Sequence, residues 1–106
     1  MPPAIPASTK TSLAQRLRSH ARQHWPQLRD LHIRYHGQFA YVEGERPDGH
    51  RQPLLRLRYG GSASTWGFGV YLASSGKYEN QILPNGMTAG TPQEALDCAC
   101  GLYLGN

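Results

Sequence analysis

The sequence predicts an α+β domain in which an antiparallel sheet of four to five strands has an N-terminal and a C-terminal helix packed on one face. Two observations lead to this prediction. Apolar residues recur at helical spacing near both ends of the chain, and alternating apolar and polar residues fill the segments between them. The 12 glycines and 8 prolines suit short strands joined by tight turns. A length of 106 residues fits one domain with a modest core.

The first helix is predicted to begin at Ser12, which forms a capping-box pattern with Gln15. It is predicted to end near His24, because a Trp-Pro pair follows and the residue before a proline avoids helical geometry. Residues 1–10 contain three prolines and little to bury, which predicts a flexible arm. The domain itself is therefore expected to cover residues 11–106.

Alternation between apolar and polar residues predicts the strands of the sheet. The five segments with this pattern are 31–35, 39–42, 54–59, 66–72 and 78–83. In the third segment Arg56 and Arg58 alternate with leucines, and in the fourth Gly67 and Gly69 alternate with large apolar residues. The two arginines and the two glycines are therefore expected to lie on the faces opposite those apolar side chains.

The second helix has the clearest local signal in the chain. Thr91 is a favourable N-cap, Pro92 suits the first helical position, and Glu94 completes a capping box. Gly105 is positioned to close the helix. The apolar stripe that follows the cap consists of Ala95, Leu96, Ala99, Leu102 and Tyr103. Both helices thus have one apolar face, which the same side of the sheet is predicted to cover.

Basic residues are concentrated in the first part of the chain. Ten of the eleven Lys and Arg residues lie in positions 1–58, where they face four acidic residues and give a net charge of +6. Positions 59–106 hold one lysine and three acidic residues, a net charge of −2. A cationic region of this kind attracts polyanions, so the sequence favours nucleic acid or an acidic protein surface as the partner.

The leading hypothesis is a small nucleic-acid-binding domain without catalytic residues. The residues expected to contact phosphates are Arg18 and Arg22 on the first helix and Arg34, Arg56 and Arg58 on the sheet. Arginine suits this role because its guanidinium group contacts phosphate through two hydrogen bonds and stacks on bases. Tyrosine and tryptophan residues interleave with these arginines and offer rings for stacking. The alternative for the basic residues is an ordinary solvated surface.

Two other functions remain open on the sequence alone. One is a protein-interaction module of the adaptor, antitoxin or inhibitor type, whose basic face would meet an acidic partner. The other is a small ribonuclease, in which His32, Arg34 and His36 would share one strand face and divide the roles of base, phosphate clamp and acid. No serine or cysteine hydrolase signature and no phosphate-binding loop occurs in the sequence.

No metal or cofactor is predicted. His20 and His24 share one helix face, but no acidic or cysteine residue accompanies them at ligand spacing in the sequence. Cys98 and Cys100 diverge on a helix, and Cys98 is expected to be the thiol nearer the apolar stripe. The sequence has no leader with an apolar segment and no apolar run of membrane-spanning length. A cytoplasmic protein is therefore expected.

Residues 55–104 resemble the three-strand-plus-helix DNA-binding domains of phage integrase arms and plant ethylene-response proteins. The likeness lies in the aromatic start of the strand at Trp66 and in the helix opening Thr91-Pro-Gln-Glu-Ala95. In those families the sheet enters the major groove of DNA, which the resemblance implies here for Arg56 and Arg58. The helix–strands–helix order is also similar to that of double-stranded-RNA-binding domains, and the C-terminal tail is similar to that of small uncharacterised bacterial proteins.

Overall fold

The computed structural model of the chain describes residues 4–62, 64–72, 74–80, 86 and 89–104. Within these residues the chain forms two helices and six strands. In chain order they are α1 (Ala7–His24), β1 (Asp30–His36), β2 (Phe39–Glu45), β3 (Arg51–Tyr59), β4 (Trp66–Leu72), β5 (Lys77–Asn80), β6 (Ala89–Gly90) and α2 (Pro92–Tyr103). The predicted α+β fold, with a helix at each end of an antiparallel sheet, is confirmed.

The sheet follows the chain, with β1 to β5 paired in sequence as antiparallel neighbours. The short strand β6 pairs with the start of β4, where Gly90 lies opposite Trp66. Strand β6 makes the sheet one strand larger than predicted, and its two residues are too few for a recognisable alternation. The last part of the predicted strand 78–83 lies outside the described residues.

The core lies between the two helices and one face of the sheet, which we call the inner face. It contains the buried stripe of α1, the buried stripe of α2 and the inward side chains of β1 to β4. Its largest fully buried side chains include Trp66, Leu57, Leu17 and Leu96. Burial of this apolar surface is the main stabilising contribution to the fold.

Helix α1 begins earlier than predicted, at Ala7 and not at Ser12. Pro6 is the N-cap, where extended backbone and the lack of an N–H group are both tolerated. The preceding Ile5 is only 4% exposed and packs in the core, which holds the helix start against the domain. Residues 7–10 therefore form helix, and their assignment to an arm was wrong.

Helix α2 begins as predicted. The Thr91 side chain accepts a hydrogen bond from the Glu94 backbone N–H at 3.2 Å, and the Glu94 carboxylate accepts one from the Thr91 N–H at 3.0 Å. This reciprocal pair satisfies two backbone donors that a helix start leaves unpaired. Gly105, the predicted helix stop, lies outside the described residues.

A β-bulge in β3 determines which side chains reach the outer side of the sheet. The register against β2 shifts between Val42 and Glu43, and both Leu54 and Leu55 are fully buried. A bulge places two residues opposite one, so these consecutive leucines both join the core. On β3, therefore, no side chain between Pro53 and Arg56 points to the outer side of the sheet.

Cys100 is the buried thiol of α2, at 0% exposure, whereas Cys98 is only partly buried. The prediction that Cys98 lies nearest the apolar stripe was wrong. Leu96 and Cys100 are four residues apart and share the helix face that meets the core.

We expect the free energy of unfolding to fall as the pH rises above about 9. Burial raises the pKa of the Cys100 thiol to about 12, and the nearby Asp97 carboxylate adds to the rise. An unfolded thiol ionises near its usual pKa, so between these values the unfolded state binds fewer protons and gains stability relative to the fold. The free energy of unfolding measured in urea should be about 1.4 kcal/mol lower at pH 10 than at pH 7 from this group alone. The Cys100→Ala variant should lose that part of the pH dependence, and an unchanged dependence would contradict the assignment.

Candidate nucleic-acid interface

The outer face of the sheet carries arginines and aromatic rings in neighbouring positions. Directly paired residues of antiparallel strands share one face of a sheet. Arg34 pairs with Tyr41, Tyr41 with Arg56, and Arg56 with Gly69. In the next row the pairs are Phe39 with Arg58 and Arg58 with Gly67. The helices of the described chain pack against the inner face, and we call this outer side the open face.

Arg56 and Arg58 lie flat across β4, because that strand has glycines beneath them. A Cβ atom on Gly67 would be 3.1 Å from Arg58 Nε, and one on Gly69 would be 3.5 Å from Arg56 Nε. A side chain at Gly67 would therefore push against Arg58, whereas a Cβ atom at Gly69 would be in ordinary contact with Arg56 and closer, at 3.3 Å, to the Glu79 carbonyl oxygen. Because these glycines have no side chains, the guanidinium groups lie close to the backbone of β4.

Two of the arginines stack on aromatic rings. The Arg34 guanidinium carbon lies 4.9 Å from the centre of the Tyr41 ring, and that of Arg56 lies 4.9 Å from the centre of the Phe39 ring. Cation–π contacts at this distance are attractive and hold the guanidinium plane in place. These arginines are therefore positioned in advance of any ligand.

A cluster of three tyrosines, the tyrosine triad (Tyr41, Tyr71 and Tyr78), occupies the part of the open face beside the bulge. The Tyr78 ring contacts the other two edge-to-face, with 5.2 Å between ring centres in each pair. Burial raises the pKa of the Tyr78 hydroxyl, and the negative charge of Glu43 adds to this rise. All three side chains are half-buried, so part of each ring faces solvent.

The charge of the open face is not fully compensated by carboxylates. The ion pairs within the described residues use Arg18, His20, Arg29, His32 and Arg51 as their basic partners. Arg34 and Arg58 take part in none of these pairs. The acidic residues of the open face in the described chain are Asp30, Glu43 and Glu45, and the basic partners in their ion pairs are Arg18, Arg29, His32 and Arg51. The end of the face at Arg56 and Arg58 is therefore positive, and the end at Asp30, Glu43 and Glu45 carries both signs of charge.

A cleft of about 330 Å³ lies at the β1 edge of the open face. Arg18 reaches it from helix α1 and donates a hydrogen bond to the Leu31 carbonyl at 3.1 Å. Its Nε atom is 3.6 Å from the Asp30 carboxylate. The cleft is lined by Arg18, His32, Ile33, Arg34, Tyr41, Glu43 and Arg51. Of the two helix arginines in the predicted site, Arg18 is thus the one that joins a sheet arginine.

Arg22 lies apart from the open face. It lines a different groove, between α1 and the start of β1, together with Arg18, Arg29 and Asp30. The structure therefore brings Arg34, Arg56 and Arg58 together, with Arg18 at the rim, and leaves Arg22 on the helix side.

The aromatic part of the site was only partly visible in the sequence. Tyr41 and Tyr71 stand among the tyrosines that interleave with the arginines, but Phe39 and Tyr78 gave no separate signal. Alternation along β2 assigns Phe39 to the same face as Tyr41. Tyr78 contacts Tyr41 across two strands beside the bulge, and alternation in the sequence gives no signal for that bulge.

Three of the five histidines, His20, His24 and His32, contact other side chains of the protein. His32 lies 2.6 Å from Glu45. His20 lies 2.8 Å from Asp97 of helix α2, and the same carboxylate oxygen accepts a hydrogen bond from the Trp25 indole at 2.8 Å. His24 stacks on His20 with 4.3 Å between ring centres. Within the described ranges, no three His, Cys, Asp or Glu side chains are grouped to hold a metal ion.

Comparison of the chain with protein-family models, curated proteins and solved structures gives no match. Across the described parts of the chain, neither helix has the length and apolar character needed to cross a membrane. The class of protein is thus defined by the fold and the open face: a small α+β domain with arginines and aromatic rings on the sheet face opposite its two helices.

Proposed function

We propose that this protein binds nucleic acid through the open face and does so without catalysis. The observation that carries the proposal is the convergence of Arg34, Arg56 and Arg58 with four aromatic side chains on the sheet face opposite the helices. Guanidinium groups contact phosphate oxygens, and aromatic rings and guanidinium planes accept stacked bases. The face combines both kinds of contact within one surface.

Two further features support a polyanionic ligand. The chain has a net charge of +4, and neither Arg34 nor Arg58 is a partner in the ion pairs that the carboxylates of the open face form within the described chain. Arg18, at the cleft beside β1, extends the positive edge of the face. A phosphate backbone crossing the sheet would meet Arg58 and Arg56 on β3 and then Arg34 on β1.

The test is a salt titration of binding to a labelled DNA oligonucleotide of mixed sequence, read by fluorescence anisotropy. Each phosphate contact adds about 0.9 to the slope of log K against log salt on a duplex and about 0.7 on a single strand. Arg58→Gln should lower the slope by about one such step. Arg22→Gln removes the same charge from the helix side and should leave the slope unchanged. Equal effects of the two variants, or no binding at low salt, would refute the proposal.

A further inference from the structure

The width of the open face is incompatible with entry into a groove of duplex DNA. Five strands, β1 to β5, lie side by side in it. With about 4.8 Å between neighbouring strands, they span roughly 19 Å. The major groove of B-form DNA is about 12 Å wide and admits a helix or a two-stranded ribbon. A sheet of this width meets an undistorted B-form duplex only at its outer phosphates.

The side chains of Arg56 and Arg58 lie along the sheet and do not project from it. Arg58 lies over Gly67 and Arg56 over Gly69, at the distances expected for side chains in contact with the strand beneath. Base edges inside a groove are read by side chains that extend away from their element. Guanidinium groups lying flat instead expose their planes, which is the geometry that stacks on an unpaired base.

The tyrosine triad supplies an apolar stacking surface beside these arginines. Tyr71 and Tyr78 are directly paired across β4 and β5, and Tyr78 reaches Tyr41 over the gap that the bulge leaves. The Arg34 guanidinium carbon in turn lies 4.9 Å from the centre of the Tyr41 ring. Rings and guanidinium planes therefore form one continuous surface, with phosphate-binding charge on one side of it.

We infer that the ligand of the open face is single-stranded nucleic acid, whose unpaired bases stack on Tyr71, Tyr78 and the guanidinium plane of Arg34. The inference rests on the proposed function and specifies the form of nucleic acid that the face accepts. Duplex bases are stacked on each other and present no ring face to the protein, so only the phosphates of a duplex would gain from binding here.

The experiment compares one labelled DNA strand of about 12 nucleotides with the same strand annealed to its complement, at about 50 mM salt. The single strand is expected to bind at least about tenfold more tightly. Tyr78→Ala should weaken single-strand binding by at least about fivefold and leave duplex binding unchanged. Tyr78→Phe keeps the ring and should retain affinity. Thermal unfolding of each variant verifies that it is folded, and Tyr71→Leu provides a second variant for the same comparison.

The outcomes separate the inference from the proposed function. Duplex affinity equal to or above single-strand affinity would overturn the inference and leave nucleic-acid binding by the face intact. The inference would also be overturned if the folded Tyr78→Ala and Tyr71→Leu variants both kept the preference for the single strand. In that case bases would not stack on the tyrosine triad. Absence of binding to both probes would overturn the proposed function and the inference with it.

Discussion

Replacement of Trp66 by alanine should lower the free energy of unfolding by about 3–5 kcal/mol. The Trp66 side chain is 1% exposed and is among the largest fully buried side chains of the described chain. It lies at the start of β4, where it pairs with Tyr59 of β3 and with Gly90 of β6. Its removal leaves a cavity at the point where β3, β4 and β6 meet. For a domain of this size the total stability is about 5–15 kcal/mol, so the loss is a large fraction.

Urea or thermal unfolding measures this effect, and the chain provides a matched control. Leu102 is an apolar residue of α2 with 62% of its surface exposed, and Leu102→Ala should change stability by no more than about 0.5 kcal/mol. Trp66→Phe fills part of the space and should have an intermediate cost. A Trp66→Ala variant as stable as Leu102→Ala would contradict the placement of Trp66 in the core.

Removal of the three sheet arginines should abolish most nucleic-acid binding. At about 0.1 M salt each phosphate contact contributes roughly five- to eightfold through release of counterions, so three contacts contribute on the order of 100-fold or more. The variant Arg34→Gln, Arg56→Gln, Arg58→Gln should therefore bind at least about 100-fold more weakly than the parent chain. Arg34 and Arg58 are not members of the ion pairs of the described residues. Replacing these two arginines therefore leaves every carboxylate of those pairs with its basic partner.

A matched triple variant tests whether position or total charge is responsible. Lys10, Arg16 and Arg22 all belong to helix α1, which packs on the inner face of the sheet. Changing all three to glutamine removes the same formal charge, and we expect only a several-fold loss of affinity from the weaker long-range attraction. Equal losses in the two triple variants would mean that overall charge, and not the open face, determines binding.

Local sequence signals predicted those helices and strands whose bounds are determined by neighbouring residues in the chain. The capping box at Thr91 defined the start of α2, and strict alternation defined β4 from Trp66 to Leu72. The start of α1 was missed, because its position depends on burial of Ile5 against the rest of the core. A capping pattern at Ser12 was present in the sequence but lies inside the helix. Tertiary packing thus overrode a correct-looking local signal.

The candidate site was only partly predictable, because its geometry also depends on tertiary structure. Alternation was enough to assign Arg34, Arg56 and Arg58 to a face opposite the core. It gave no strand order or register, and these determine that Arg58 lies over Gly67 and that Tyr78 meets Tyr41. Helical spacing placed Arg22 beside Arg18, but α1 packs on the other side of the sheet, and of these two arginines only Arg18 lines the cleft with Arg34.

The most direct test of the open face as the nucleic-acid interface is an NMR titration of the isotope-labelled protein with an unlabelled single-stranded oligonucleotide. We expect the largest chemical-shift changes in the backbone and side chains of Arg34, Tyr41, Arg56, Arg58 and Tyr78, whereas the exposed residues of α1 and α2 other than Arg18 should change little. Largest changes on the helices, or an unchanged spectrum at saturating oligonucleotide, would contradict it.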